Sequence, residues 1–309
     1  MACYHPIKAW TSYRPGEKIT FKKEYAHPTA LLNGETIPIP CGQCVGCRLA
    51  RSNQWAIRCV HEASLHEQNS FITLTYHDDN LPKGGTLVKK DFQDFMKRLR
   101  KSIAPKKIRY YMAGEYGDKL GRPHYHALIF GHDFGDKYLW ETIGTKKYYR
   151  SPELERLWQK GYSNISDVNI ATAGYVARYV MKKITGDAAK DHYGEKIPEY
   201  NDMSRRPGVA TEWIKKYKSD VFPKWGKTID GVWRPDGVAV DGRQRGTPKF
   251  YLQKLKEVDP EEYKLIESAR KLLGIQYAQR FPEEKTERRL KEKEIVCKSK
   301  LQLKKRKLK

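Results

Sequence analysis

His124 and His126 stand two residues apart in Gly121-Arg122-Pro123-His124-Tyr125-His126-Ala127-Leu128-Ile129-Phe130-Gly131. The apolar, β-prone run between a Gly/Pro turn and a closing glycine reads as a strand. Strand side chains alternate with period two, so both imidazoles project from one face. On their own they are two polar residues on a wet sheet face or half of a metal site. Upstream, Ile108 to Tyr116 reads as a second strand, and the short link from Gly117 to Pro123 makes the pair a hairpin with its tip near Leu120. Glu115 then falls opposite His124 or Tyr125. A carboxylate beside two imidazoles gives a three-ligand site with open positions, as suits a cation that handles a substrate. Mixed nitrogen and oxygen ligation admits Mg²⁺, Mn²⁺ or Zn²⁺, and spacing alone does not choose among them.

A second set of chemical groups lies downstream, in Gly174 to Lys183. Val176, Val180 and Ile184 mark an i, i+4, i+8 apolar stripe and so a helix. Tyr175 and Tyr179 are also four apart and share a neighbouring face. Arg178 and Lys182 each follow a tyrosine by three residues. The two rings are either amphipathic packing residues or hydroxyl nucleophiles backed by cations.

A third set is Cys41-x-x-Cys44-x-x-Cys47. Six cysteines, at positions 3, 41, 44, 47, 59 and 297, in a chain whose start lacks an apolar signal region, argue against a disulfide framework. Three thiols at this spacing point to a metal, with an iron–sulfur cluster and free thiols as rival readings. A closed zinc site needs a fourth ligand. Cys59 is twelve residues along an expected helix (Arg48 to His66), about 18 Å away. Cys3 is the better candidate and His5 the second.

The chain of 309 residues carries a net charge of +23. Seven of the basic residues fall in Lys298 to Lys309, which has no acidic residue, so the remainder still carries +16. That balance implies a polyanionic partner, and 20 tyrosines and 7 tryptophans interleaved with Lys and Arg favour single-stranded nucleic acid over a membrane. Mean hydropathy is −0.79 and no stretch approaches 18 apolar residues, so no transmembrane helix is expected.

Together these segments resemble the HUH endonucleases, and more closely the replication-initiation proteins of the gokushovirus branch of the Microviridae. The resemblance rests on Cys41 to Arg48, Phe71 to Tyr76, Gly114 to Gly117, Gly121 to His126 and Tyr175 to Lys182, and covers roughly residues 1–220. It implies metal-dependent, sequence-specific nicking and joining of single-stranded DNA at a phage origin. A 5′-phosphotyrosine would form and a 3′-hydroxyl would be left to prime rolling-circle replication by the host machinery, in the cytoplasm of a bacterial cell. In that reading Tyr175, Tyr179 and Lys182 are catalytic, and Glu115, His124 and His126 hold catalytic Mg²⁺ or Mn²⁺. Cys3, Cys41, Cys44 and Cys47 hold structural Zn²⁺, and Arg178, Lys183, Arg122 and Thr75 meet DNA, with Thr73 flanking it. The rivals are a non-catalytic single-strand-binding or packaging protein, and a transposase or relaxase of the same superfamily.

The elements that must position these groups follow from pattern. Phe71 to Tyr76 is a strand, and His77 to Pro82 a turn. Lys89 to Ser102 is an amphipathic helix with Phe92, Phe95, Met96 and Leu99 inward. Residues 132–150 read as an irregular insertion rich in Tyr and Lys. Ser151 caps a helix starting at Pro152, and Tyr162 to Val168 is a strand. The order predicts an α+β fold, a mainly antiparallel sheet with flanking helices. Residues 1–70 form a cysteine-rich region with two short strands and a helix packed on the core, 71–185 an endonuclease-like core, and 186–309 an accessory region. Within the last, a hairpin is expected in Gly226 to Gly246 with turns at Asp230-Gly231 and Asp236-Gly237, and a basic helix and tail follow Glu283. No Gly-Lys-Ser/Thr phosphate loop is present, so an attached helicase is not expected.

Overall fold

A computed structural model of the chain describes residues 3–306 other than 119, 179–183, 185, 187, 230 and 231. The chain divides into two units, residues 1–51 with 273–309, and residues 52–272. The fold is α+β.

In the first unit β1 (Ile7–Thr11), β2 (Ile19–Thr20) and β3 (Ile37–Ile39) form an antiparallel sheet in the order β2-β1-β3. β3 is one strand more than the sequence suggested. The short helix α1 (Pro28–Leu32) precedes it and α2 (Val45–Ala63) follows. The C-terminal helix Glu287–Arg306 belongs to the same unit.

The second unit is built on a seven-stranded antiparallel sheet. Its strands are β4 (Asn69–Thr75), β5 (Arg109–Tyr116), β6 (Pro123–Phe130), β7 (Tyr138–Ile143), β8 (Lys146–Arg150), β9 (Ser163–Ser166) and β10 (Tyr200–Met203). Their order is β10-β5-β6-β4-β9-β8-β7. Helix α3 (Lys89–Ser102) covers one face: Phe92, Phe95, Met96 and Leu99 repeat at i, i+3, i+4, i+7 and pack with Ile72, Leu74, Met112, Tyr125 and Ile129. Each such fully buried large side chain contributes about 1.5–3 kcal/mol. The alternate residues Phe71, Tyr111, Ala113, Leu128 and Phe130 point to the other face. There they meet Ala56 and Cys59 of α2, and Ala173, Val176 and Ala177 of α5 (Ile170–Arg178). With both faces covered, β6 is nearly all apolar from Ala127 onward.

Helix α4 (Pro152–Trp158) begins as expected, the Ser151 hydroxyl accepting the Leu154 N–H at 3.0 Å. It delivers Trp158 to the core, where the indole N–H donates to the Thr75 carbonyl at 2.7 Å. That bond pins the end of β4. Close by, the chain passes at Gly161, where an added Cβ would lie 2.3 Å from the His77 nitrogen and 2.5 Å from the Thr75 oxygen.

Three expectations are corrected. Residues 138–150 are not irregular: β7 and β8 form a hairpin that extends the sheet. All six residues of β7 are exposed, so no apolar alternation announced the strand. Tyr200–Met203 adds a short strand beside β5. In the glycine-rich region two small hairpins form, Lys227–Ile229 with Val232–Arg234 and Val238–Val240 with Arg243–Arg245. The second turns at Asp241-Gly242, where both residues have positive φ, rather than at Asp236-Gly237. The turn expected at Asp230-Gly231 lies outside the described residues.

Candidate active site

The β5–β6 register sets Glu115 directly opposite His124 and Ala113 opposite His126. Cross-strand partners share a face, so Glu115, His124 and His126 converge on the α5 side of the sheet. Their ligand atoms lie within 4.8 Å of one another. Glu115 Oε1 is 2.6 Å from His124 Nε2 and 2.9 Å from His126 Nε2, and the carboxylate is buried. Burial alone would raise the Glu115 carboxyl, but hydrogen bonds from His124 and then His126 outweigh it and hold the group below the ordinary value.

The far nitrogens are also engaged. His124 Nδ1 donates to the Arg122 carbonyl at 3.1 Å, and His126 Nδ1 lies 2.9 Å from the Thr73 hydroxyl. Such contacts fix ring orientation and turn Nε2 toward the shared centre. Both nitrogens of His124 therefore face acceptors. A neutral imidazole has one N–H, so a second positive centre, a proton or a metal cation, belongs between Nε2 and the carboxylate. The donor set thus fits a divalent ion.

Helix α5 crosses this face. Ala173, Val176 and Ala177 are buried against the sheet, and Tyr175 sits at the rim with its ring 5.1 Å from that of His126 and 6.2 Å from Phe71. Arg178 ends the helix, half-buried. Tyr179, Lys182 and Lys183, the remaining groups expected here, lie outside the described residues. Arg122 is tied to Asp78 at 2.5 Å and to the Tyr76 carbonyl at 3.0 Å. The Thr75 hydroxyl donates to the Tyr162 carbonyl at 3.0 Å. Thr73, expected beside DNA, instead orients His126; its pairing with His126 across β4 and β6 was not foreseen, because strand order cannot be read from β4 alone.

In the first unit the four expected thiols come together. Cys3, Cys41, Cys44 and Cys47 hold their sulfurs within 4.8 Å of one another. Cys3 Sγ is 3.6 Å from Cys41 Sγ and 3.9 Å from Cys44 Sγ. These values bracket the edge of about 3.8 Å expected for a tetrahedron with metal–sulfur bonds of about 2.3 Å. Three amides donate to the sulfurs: Tyr4 to Cys44, Cys41 to Cys3 and Cys44 to Cys41, at 3.3–3.4 Å. Burial opposes ionisation, but the Tyr4 and Cys47 amides and the neighbouring thiols bring Cys44 down to about 6. Cys47, with burial dominant, rises to about 12. His5, the second candidate, is bonded to Glu294 at 2.6 Å. Cys59 is wholly buried in the core of the second unit.

A profile of the family described as replication-associated protein ORF2 matches residues 69–184, which span β4 to α5 and the Glu115–His124–His126 cluster. Replication-associated protein VP4 of Bdellovibrio phage phiMH2K is 31% identical over 288 residues, covering 90% of this chain and 85% of that protein. The chain belongs to the replication-associated proteins of the Microviridae. Within that family, replication-associated protein ORF2 of Spiroplasma virus 4 is 32% identical over 239 residues, 72% of each chain. Replication-associated protein ORF4 of Chlamydia phage 1 is 38% identical over 157 residues, 48% of this chain and 39% of its own length. No solved structure matches the chain. Among the described residues no helix is long and apolar enough to cross a membrane.

Proposed function

We propose that this protein initiates phage replication by nicking and rejoining single-stranded DNA at an origin through a tyrosine, as an endonuclease of the HUH kind. The observation that carries the reading is the approach of Tyr175 to His126, 5.1 Å between rings, at the rim of a buried carboxylate–bis-imidazole cluster. A family of replication-associated proteins supports the setting.

Glu115, His124 and His126 would hold Mg²⁺ or Mn²⁺; the carboxylate–imidazole separations of 2.6 and 2.9 Å are near the edge of about 3 Å of an octahedron with bonds of about 2.1 Å. Such a cation polarises a phosphoryl oxygen and offsets the charge that repels a nucleophile. The tyrosine hydroxyl gives up its proton, its oxygen bonds to phosphorus, and the 3′-oxygen leaves and is protonated. The product is a 5′-phosphotyrosine and a 3′-hydroxyl primer. Arg178, with Lys182 and Lys183, supplies positive charge beside the tyrosines, and Thr75 and Arg122 contact the strand. Host polymerase extends the primer, in the cytoplasm of the infected bacterium. Tyr179 is the second nucleophile: four residues on, it is rotated by a net of about 40° and can cut the regenerated origin while Tyr175 is occupied. The cysteine cluster holds a single Zn²⁺ that stabilises the first unit.

The test is a denaturing gel of the protein with single-stranded segments of the cognate genome in Mg²⁺ and Mn²⁺. A covalent adduct is expected. His124→Ala and His126→Ala should abolish it while DNA binding survives. Tyr175→Phe and Tyr179→Phe should each retain single cleavage but fail in successive rounds, and the double variant should be inactive. Full nicking by either histidine variant would remove the site assignment.

A further inference from the structure

Beyond the cluster, the same face of the sheet continues outward across β4, β9, β8 and β7. Its register can be followed pair by pair. His124 opposes Thr75 and His126 opposes Thr73, and Thr73 opposes Asn164. Tyr162 precedes β9 by one residue and accepts the Thr75 hydroxyl at its carbonyl. In β8 it is Tyr149 that pairs with Ile165 and packs toward the α3 core, which turns Tyr148 and Arg150 to the cluster's face. Glu141 opposes Tyr148, and the irregularity between Leu139 and Glu141 sets Trp140 at the border.

These side chains line an open cleft of about 350 Å³, walled by Trp140, Ile143, Tyr148, Arg150, Tyr162 and Asn164. Trp140 is 57% exposed and Tyr162 is 53% exposed, although both stand on or beside strands whose backbone holds them still. Large aromatic faces left to water on a rigid element mark a surface that something else covers. Arg150 is pinned by two hydrogen bonds to Glu155 Oε1, at 2.6 and 2.9 Å. Its guanidinium lies 4.7 Å from the Trp140 ring centre and 5.8 Å from that of Tyr162. The result is two rings and a flat cation held side by side. Lys146 and Lys147 add charge at the hairpin turn, and Glu141 is the acidic residue of the lining. Two strand spacings, about 10 Å, separate the His124 strand from the strand that Tyr162 leads into.

We propose that this cleft is a base-stacking subsite for single-stranded DNA running outward from the cluster. The occupant is identified by its chemistry. Every base offers a flat face to an aromatic ring or a guanidinium, and the flanking lysines meet phosphate. Duplex DNA, whose bases are already stacked, offers no such face. The proposal rests on the nicking reading for its choice of strand, but the binding is independent of the cation.

The experiment measures anisotropy of a fluorescein-labelled oligothymidylate about twenty nucleotides long, in EDTA, with the full chain. Trp140→Ala and Tyr162→Ala should each weaken binding about tenfold, while Trp140→Phe and Tyr162→Phe, which keep a ring, should stay within about threefold. Binding by both alanine variants equal to wild type overturns the subsite, as does a wild-type protein that binds no oligothymidylate. Sedimentation in parallel tests the other occupant: a dimer that Trp140→Ala dissociates without changing DNA affinity would make this face a contact between copies and overturn the proposal. If the rings carry the affinity but no cognate strand yields an adduct, the subsite stands and the nicking reading falls.

Discussion

Glu115 and His124 are directly opposed in adjacent antiparallel strands, and Oε1 of one lies 2.6 Å from Nε2 of the other. Nine residues of sequence thus suffice to bring a carboxylate and an imidazole together. His126 joins them because strand side chains recur every second residue.

The carboxylate is therefore expected to govern cation affinity. Glu115→Gln keeps the shape but removes the charge, and should weaken Mn²⁺ at least about tenfold, the lower end of what loss of a merely supporting group costs a metal site. Calorimetric titration of Mn²⁺ checks this. An unchanged affinity together with wild-type activity would place the third ligand elsewhere.

Purified, reduced protein should contain about one zinc per chain, and Cys44→Ser should lose it. The variant should melt at lower temperature yet lose no catalytic group. Elemental analysis finding no zinc in fresh wild-type protein would refute the assignment.

His61 provides a pH-dependent test of packing. Its ring stacks on Trp213 at 3.5 Å, and its Nδ1 is bonded to the Tyr251 hydroxyl at 2.8 Å. Burial lowers its pKa from 6.5 to about 4, with a smaller opposing effect from the Ala239 carbonyl. The folded pKa lies below the unfolded one, so the unfolded chain binds the extra proton between them. The stability due to neutral His61 is full above pH 6.5 and is lost progressively as pH falls toward 4, by no more than about 3 kcal/mol. Urea unfolding of wild type and His61→Phe at pH 7.5 and 4.5 isolates the effect. The variant should lose less stability between the two pH values; equal losses would contradict it.

Gly161→Ala should destabilise the second unit. The added methyl would meet the backbone of Thr75, Tyr76 and His77 at 2.3–2.6 Å, and backbone pinned by Trp158 cannot give way as a flexible side chain would. The cost should be about 1–3 kcal/mol, or a fall of roughly 5–10 °C in Tm. A melting temperature equal to wild type would disprove the close approach.

What the sequence made legible follows from locality. The β5–β6 hairpin could be read because a short turn fixes register, and α3 because four apolar residues repeat at helical spacing. The thiol triplet was local as well, but choosing between Cys3 and His5 required knowing that the chain returns after thirty-eight residues to bring Cys3 against Cys41. β7 was illegible for the opposite reason: Tyr138 to Ile143 are all exposed, and an exposed strand carries no alternation. Its signals were the β-prone residues themselves and Gly144, at φ +60° in the turn. β10, four residues long, is defined by pairing with β5 and by little in its own composition. Gly114 shows how tight that pairing is, since a Cβ there would sit 2.9 Å from the Tyr200 ring.

The β7–β8 hairpin lies at the outer margin of its sheet, held to the neighbouring strand through the Tyr149–Ile165 pairing, and it is spliced into the chain between β6 and α4. Lengthening such a loop costs little, about 0.6 kcal/mol for each doubling. The hairpin can therefore be exchanged, extended or rewritten in sequence without disturbing the three groups on β5 and β6. Selection on what this margin touches and selection on the buried cluster act on separate stretches of the gene, so a change of host or origin need not reopen the chemistry.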